Sequence, residues 1–505
     1  MEFQISSWNF ISLFFFFFAT AFFTIVKQWK KNSKKSNVSC RRKSLPPGPQ
    51  KLPFIGSLHL MGTLPHQNLA KLANKYGPLM HIQLGEISAI VVSSPQMAKE
   101  ITKTHDLAFA SRPKLLAFEI VCYGSKDIAF TPYGDYWRQM RKICIIELLS
   151  AKNVRSFDKI RQDVGSKMVE EIRSLAGETV NLAEQIFSYQ SSMVSRAAFG
   201  KVSRRQQLEF VGLMKEVASL GGGFDIADIF PSYKFLHSLT GMKSKLLTVH
   251  QKMDLIFEDI IKEHIQNRGH SDDEEDLVDA LLRVKEDGDL QVPITNDAIK
   301  AVIFDMFAAG IETSSTAFEW VMSELIKNPN VMAKAQHEVR QALKGKGKIT
   351  DADILELKYL KLVIKETLRL HPPFPLLLPR ESREEREIDG YTIPVKTKVM
   401  INVWAMGKNP EYWPNPESFE PERFEDNGID FYGNHFEYLP FGAGRRICPG
   451  MSFGLANVEL PVALMLYHFD WKLPDGNCPE DLDMLENRGI TAPRKNNLHL
   501  VPVPV

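Results

Sequence analysis

The first strong signal along the chain is apolar: 19 residues from Trp8 to Val26 carry no charge and include the run Phe14 to Phe18. At 1.5 Å per residue such a helix spans about 28 Å, enough to cross a bilayer core, so residues 1–26 are expected to form a membrane anchor. A cleaved signal peptide is the competing reading, but the apolar run continues past Ala19-Thr20-Ala21 and no Lys or Arg precedes it. Lys27, Lys30, Lys31, Lys34, Lys35, Arg41, Arg42 and Lys43 follow at once, an excess that belongs on the cytoplasmic side and can meet anionic lipid headgroups. Leu45-Pro46-Pro47-Gly48-Pro49 is then a stiff, extended hinge, because each proline fixes its own φ and turns its predecessor away from helix. The pattern thus divides the chain into an anchor at 1–26, a basic linker at 27–44 and a domain at 45–505.

Within the domain, helical periodicity runs from His66 to Lys75, and Leu79 to Leu84 with Ile87 to Ser93 form a hairpin around Gly85-Glu86. Asp135 to Leu148 reads as a helix, and residues 155–268 as mostly amphipathic helix broken at Gly221-Gly222-Gly223 and Phe230-Pro231. Asp272 to Asp276 is an acidic run expected to be an exposed loop. Pro293 and Thr295 open a helix that lasts until Asn328-Pro329 and is apolar nearly all round from Ala301 to Ile311 apart from Asp305, the mark of a helix through a large core. A further helix covers Leu357 to Leu370 and stops at Pro372-Pro373. The prediction is a mainly α fold with small β-sheets.

Composition changes this picture little. With 505 residues, 44% hydrophobic and 24% charged, the chain can bury a large core, and no repeat or composition break divides the part after residue 45. Its 62 Lys and Arg against 61 Asp and Glu provide no global field for nucleic acid. Five cysteines, Cys40, Cys122, Cys144, Cys448 and Cys478, are odd in number and widely spaced, which excludes a disulfide framework and a zinc site and fits a reducing compartment.

The chemistry concentrates at Leu439-Pro-Phe-Gly-Ala-Gly-Arg-Arg-Ile-Cys-Pro-Gly450. Three glycines and two prolines in this stretch make a tight, irregular loop that brings backbone close to something, and a flat cofactor is the natural candidate. A lone thiolate such as Cys448 can ligate haem iron axially and favour O–O cleavage, and Arg446 could pair bidentately with a propionate. The competing reading makes Cys448 a small buried hydrophobe. Elsewhere, Trp137 and Arg141 stand four apart on one helical face, where an indole N–H and a guanidinium can reach the same carboxylate. Ala309-Gly310-Ile311-Glu312-Thr313-Ser314 places a glycine, an acid and hydroxyls inside the apolar helix; the hydroxyls could simply back-bond to carbonyls four residues earlier.

The spacing of Phe441, Gly444, Arg446, Cys448 and Gly450 resembles the haem-binding signature of the cytochrome P-450 family, and residues 31–505 resemble its plant A-type branch. The resemblance implies the cytochrome P-450 fold, a triangular helical prism around haem, behind an N-terminal transmembrane helix. It also implies heme b ligated by Cys448, with Phe441 and Gly442 beside it and Arg446, Trp137, Arg141 and Arg380 toward the propionates. Glu312 and Thr313 match the family's oxygen-activating motif, in which the helix opens beside the haem and the pair relays protons. Glu366, Arg369 and Arg423 match a structural triad behind the haem loop. The implied activity is an NADPH- and O2-dependent monooxygenase at the endoplasmic reticulum membrane, single-pass with its domain in the cytosol. Its implied partners are NADPH-cytochrome P-450 reductase, cytochrome b5, lipid and a small hydrophobic substrate, and no nucleic acid.

Candidate pocket segments around Phe118 to Ile120, Leu376 to Leu378 and Ile490-Thr491 are mostly apolar, which suits a hydrocarbon-like ligand. The overall likeness is to the terpenoid-oxidising subgroup, with an indole alkaloid or flavonoid as the alternative substrate. A haem protein that only transfers electrons or senses gas needs no acid and hydroxyl in its core helix. A haem-thiolate isomerase lacks the Glu-Thr pair.

Overall fold

The computed structural model describes residues 44–200, 204–221, 226–233, 241–267, 275–288 and 290–505. The expected anchor at 1–26 and most of the basic linker lie outside them. Among the described residues no helix is long and apolar enough to cross a membrane. Residues Pro46–Val505 pack as one unit.

The principal helices are α1 (Pro65–Tyr76), α2 (Leu116–Val121), α3 (Asp135–Ile143), α4 (Asp158–Ser174), α5 (Leu182–Phe199), α6 (Arg204–Gly221), α7 (Met242–Asn267), α8 (Leu277–Asp287), α9 (Asn296–Lys327), α10 (Pro329–Ala342), α11 (Lys358–Leu370) and α12 (Met451–His468). Nine short strands accompany them: β1 (Leu79–Leu84), β2 (Ile87–Val92), β3 (Val180–Asn181), β4 (Arg380–Glu381), β5 (Arg386–Ile388), β6 (Tyr391–Ile393), β7 (Lys398–Ile401), β8 (Phe469–Lys472) and β9 (His499–Pro504). The largest sheet has the order β1-β2-β7-β4, with β2 and β7 parallel and in register at Ala89 and Lys398. The fold is therefore mainly α with small sheets, as the periodicity predicts.

Helix α9 runs through the middle. Thr295 caps it by accepting from the Ala298 amide, Asn328 closes it, and Pro329 starts α10, so both ends fall where cap and proline chemistry put them. From Ala298 to Phe304 the residues are buried without interruption, against the partners expected of a core helix: α5 and α8 on one side, α12 on the other. One apolar cluster joins α9 to α2, α5, α6, α7 and α8, and a second joins its C-terminal half to α4, α10, α11 and α12.

Two expectations need correction. Of the acidic run, residues 272–274 lie outside the described residues and Glu275 is exposed, but Asp276 is buried: it caps α8 in a reciprocal capping box with Asp279 and accepts from His264 at 2.8 Å. The helix begun at Asp135 ends at Ile143 and passes into a wider π turn over Cys144–Leu148, exposing Ile145 and Ile146.

Candidate functional site

Cys448 sits in an irregular segment between a tight turn at Gly444–Arg446 and the start of α12. The loop is drawn shut by the Cys448 amide, which donates to the Phe441 carbonyl at 3.0 Å. Two of its glycines have φ near +70°, Gly442 at 72° and Gly444 at 68°. At Gly444 a Cβ would meet the Thr102 carbonyl at 2.0 Å, so this glycine is required by close packing on Thr102 and Asp106, not by a cofactor face as the sequence suggests. The cysteine keeps accessible surface although it lies deep among protein atoms, so it borders interior space. Burial pushes its thiol up, while the Gly450 amide and the Arg141 guanidinium pull it down. A bound metal ion would hold that sulfur as thiolate outright.

Around the loop four guanidiniums converge. Arg446 donates to the carbonyls of Ala110 at 2.7 Å, Ile128 at 3.2 Å and Thr131 at 2.6 Å, and lies 4.1 Å over the Trp137 ring. Arg380 pairs with Asp106 at 3.2 Å and the Ala443 carbonyl at 2.7 Å. Arg141 donates to the Ile447 carbonyl and stands 5.4 Å from the Trp137 ring. Trp137 is 3% exposed, so a half-buried surface tryptophan is ruled out; its indole N–H donates to the Ile128 carbonyl at 3.0 Å. The fourth guanidinium, Arg112, escaped the sequence reading. It donates to Ala129, Leu378 and Pro379, partners scattered along the chain in a loop without periodicity.

These cations lack enough counter-charge. Burial first, then repulsion from Arg380 and Arg141, pushes Arg446 down to about 9, against weaker support from Asp127 and Asp106. Arg112 is likewise held far below its ordinary value by burial and by its three cationic neighbours, with Asp127 opposing. Because a guanidinium keeps its proton, such a cluster is relieved by an anionic group entering it.

Opposite, α9 turns one face to open space in the middle of the core. Ala309 is exposed and Gly310, Glu312 and Thr313 are half-buried, although Phe304, Phe307, Ile311 and Ser314 around them are buried. The start of α12 lies against this stretch: a Cβ on Gly310 would stand 3.7 Å from the Phe453 ring, and one on Gly454 would stand 3.7 Å from the Ser314 hydroxyl. The helix does not open at Gly310, contrary to what the resemblance implies. It stays continuous, and the Thr313 hydroxyl back-bonds to the Ala309 carbonyl at 2.6 Å. Glu312 accepts from the Thr491 hydroxyl at 3.2 Å, which ties the helix to one of the proposed pocket segments. Phe118 stacks on Phe130 at 3.6 Å, and Leu376, Leu377 and Leu378 are all half-buried beside Arg380.

Behind the loop, Glu366 accepts from Arg369 at 2.7 and 2.8 Å and from Arg423 at 2.9 Å, with Glu366 and Arg369 sealed from solvent. Arg369 continues to the carbonyls of Gly407, Pro416 and Ser418. The triad thus ties α11 to the chain at Gly407, Pro416, Ser418 and Arg423, ahead of the loop.

Comparison with known proteins assigns this arrangement. The family model described as cytochrome P450 matches residues 46–501. The chain is 61% identical to premnaspirodiene oxygenase of Hyoscyamus muticus, over 98% of this chain and 99% of that protein. It is 58% identical to 5-epiaristolochene 1,3-dihydroxylase of Nicotiana tabacum over 98% and 99% respectively, and 55% identical to desmethyl-deoxy-podophyllotoxin synthase of Sinopodophyllum hexandrum over 93% and 94%. A zebra fish cytochrome P450 structure with progesterone superposes with a TM-score of 0.76 at 23% identity, covering 87% of this chain and 99% of that one, which shows the shared fold. The family's cofactor is a Cys-ligated haem b, and the residues fit it: an accessible sulfur deep in the protein, and beside it four guanidiniums short of the anionic charge that two propionates carry. The chain belongs to the cytochrome P450 family and is a monooxygenase that draws its electrons from NADPH through a reductase.

Proposed function

We propose that this enzyme oxygenates a neutral, apolar terpenoid in the space between α9 and the Cys448 loop. The observation that carries the reading is the interior face of α9, where Ala309 is exposed and Glu312 and Thr313 are accessible beside the buried Phe304, Phe307, Ile311 and Ser314. The wall segments supply aromatic and aliphatic surface from Phe118 and Leu376 to Leu378, and an ionised substrate there would lose several kcal/mol of hydration without a partner. Relatives named for premnaspirodiene and 5-epiaristolochene support a terpenoid over an alkaloid or flavonoid.

In this reading Cys448 would ligate the haem iron, Arg446, Arg141, Arg380 and Trp137 would hold the propionate side, and Phe441 and Gly442 shape the loop. Arg112 joins that group. The haem, when bound, supplies oxygen activation. The chain's own part is to exclude water, orient the substrate and deliver protons. Thr313 Oγ can release its bond to Ala309 and pass its proton on as it takes one up, and the Glu312 carboxylate, held by Thr491, can accept a proton from water and hand it to that hydroxyl.

Residues 1–26 are read as a single-pass anchor in the endoplasmic reticulum membrane, 27–44 as a cytosolic basic linker, and 45–505 as the catalytic domain facing the cytosol. The exposed Leu52, Phe54 and Ile55 shortly after the hinge suit contact with lipid. A groove of about 400 Å³ beside the Cys448 loop, lined by Arg138, Arg141, Lys142, Arg445 and Ile145, suits the docking of an acidic flavin reductase or cytochrome b5.

The test is turnover with a reductase under isotopically heavy dioxygen against a panel of terpene, alkaloid and flavonoid scaffolds. One heavy oxygen atom in a terpene product is expected. Labelled product from an alkaloid or flavonoid alone would overturn the substrate class.

A further inference from the structure

Asp305 is a carboxylate that proton delivery leaves unused. It stands about two turns before Glu312 on α9, only 6% exposed, in a stretch that is otherwise apolar. Its Oδ2 accepts the amide N–H of Ile128 at 2.7 Å and of Ala129 at 3.2 Å. A second carboxylate, Asp127, is fully buried at the start of the same turn and accepts the Phe130 amide at 2.6 Å and the Thr131 hydroxyl at 3.1 Å. The two carboxylates and the Cys122 thiol lie within 4.8 Å of one another.

The other side of this turn faces the arginine cluster. The Ile128 carbonyl accepts from Trp137 at 3.0 Å and Arg446 at 3.2 Å, Ala129 accepts from Arg112 at 2.9 Å, and Thr131 accepts from Arg446 at 2.6 Å. The amides of residues 128, 129 and 130 therefore turn toward carboxylates and the carbonyls of 128, 129 and 131 toward guanidiniums. The peptide units 128–129 and 129–130 are polarised in one sense, which strengthens both sets of bonds.

We propose that Asp305 and Asp127 are positioning residues that act through the 127–131 turn to set Arg112, Arg446 and Trp137 against the haem propionates. The helix that presents Glu312 and Thr313 is thereby fixed to the groups that orient the cofactor. Phe130, stacked on Phe118 at the pocket wall, moves with the same turn. Burial raises both carboxyl groups, Asp305 further by the nearness of Asp127. A carboxyl pair that carries one proton still offers an acceptor oxygen to each amide. An asparagine at 305 keeps such an oxygen and a leucine does not.

The inference rests on the haem site at Cys448, and its test needs neither substrate nor turnover, so its failure leaves the oxygenation reading standing. In the haem-loaded full chain, amide exchange across residues 125–133 and the rate of haem loss to an excess of apomyoglobin are measured for Asp305→Leu, Asp305→Asn and Asp127→Ala. Asp305→Leu is expected to speed both by about tenfold or more, as loss of hydrogen bonds to a charged or shared carboxyl implies. Exchange in the C-terminal half of α9 should stay as in the parent, and Asp305→Asn should restore most of the protection. Should Asp305→Leu fail to fold, Asp127→Ala and Thr131→Val carry the same comparison with a smaller effect. Faster exchange in the turn with unchanged haem loss, or general loosening of α9 with no selectivity for 125–133, would overturn the proposal.

Discussion

The side chains nearest the chemistry separate by how local their partners are. Cys448, Arg446 and the Glu312-Thr313 pair, whose roles are proposed, stand out because loop glycines and an acid beside a hydroxyl in an apolar helix contradict their surroundings within a few residues. Arg112 was not, since its carbonyl partners stand at residues 129, 378 and 379 and no spacing points there. Asp305 stood out as a lone acid, but the amides that satisfy it belong to a distant turn. Gly444 was noticed for the wrong reason, because only the fold reveals the Thr102 carbonyl pressed against it. At Thr313 the structure offers both roles that the residue type allows: a donor bonded to Ala309 and a surface open to the interior. Removing the hydroxyl by Thr313→Ala should leave haem and substrate binding intact but lower product formed per NADPH consumed, by about tenfold or more for a lost proton donor. Unchanged coupling would confine Thr313 to the back-bond.

Among the elements, long helices were legible and short pairings were not. Thr295 and Asn328-Pro329 mark α9 to within a residue because capping and proline chemistry are local. The two-residue strand β3 has no pattern of its own and exists only by pairing with β9, some 300 residues on, at Val180 and Leu500. Asp276 failed for a related reason: an acidic run looks solvated until His264, at the end of α7, is brought onto it. Burial lowers the His264 pKa, but the hydrogen bond and charge of Asp276, with the Ile260 carbonyl and Asp279, outweigh it and hold it up at about 9. The sign follows: a folded value above the unfolded value near ~6.5 gives stability that is complete below that pH and disappears as pH rises through about 9. His264→Ala should therefore cost about 1 kcal/mol at pH ~6, after allowance for solvent screening, and almost nothing at pH ~10. Thermal melts at the two pH values check this, and an equal loss at both would mean that the ring acts by packing alone.

At the scale of the whole molecule, residues Pro46–Val505 form one compact unit, and the proline segment read as an extended hinge packs on β1, the Pro47 carbonyl accepting from the His81 amide at 2.8 Å. Three-dimensional assembly was beyond pattern reading: only the fold sets the stretch of α9 with the exposed Ala309 against the start of α12, directly after the Cys448 loop, where the substrate chamber is proposed. If residues 1–44 serve as anchor and topology signal, their deletion should release much of the protein from membranes and leave its haem spectrum intact. Loss of the spectrum would mean that this segment takes part in the catalytic fold. The central claim is that the chamber is organised around Cys448 as the axial thiolate, and the carbon monoxide spectrum of the reduced protein tests it most directly. The parent should show the red-shifted Soret band of thiolate ligation and Cys448→Ala should lose it, whereas an unchanged band in the variant would contradict the account.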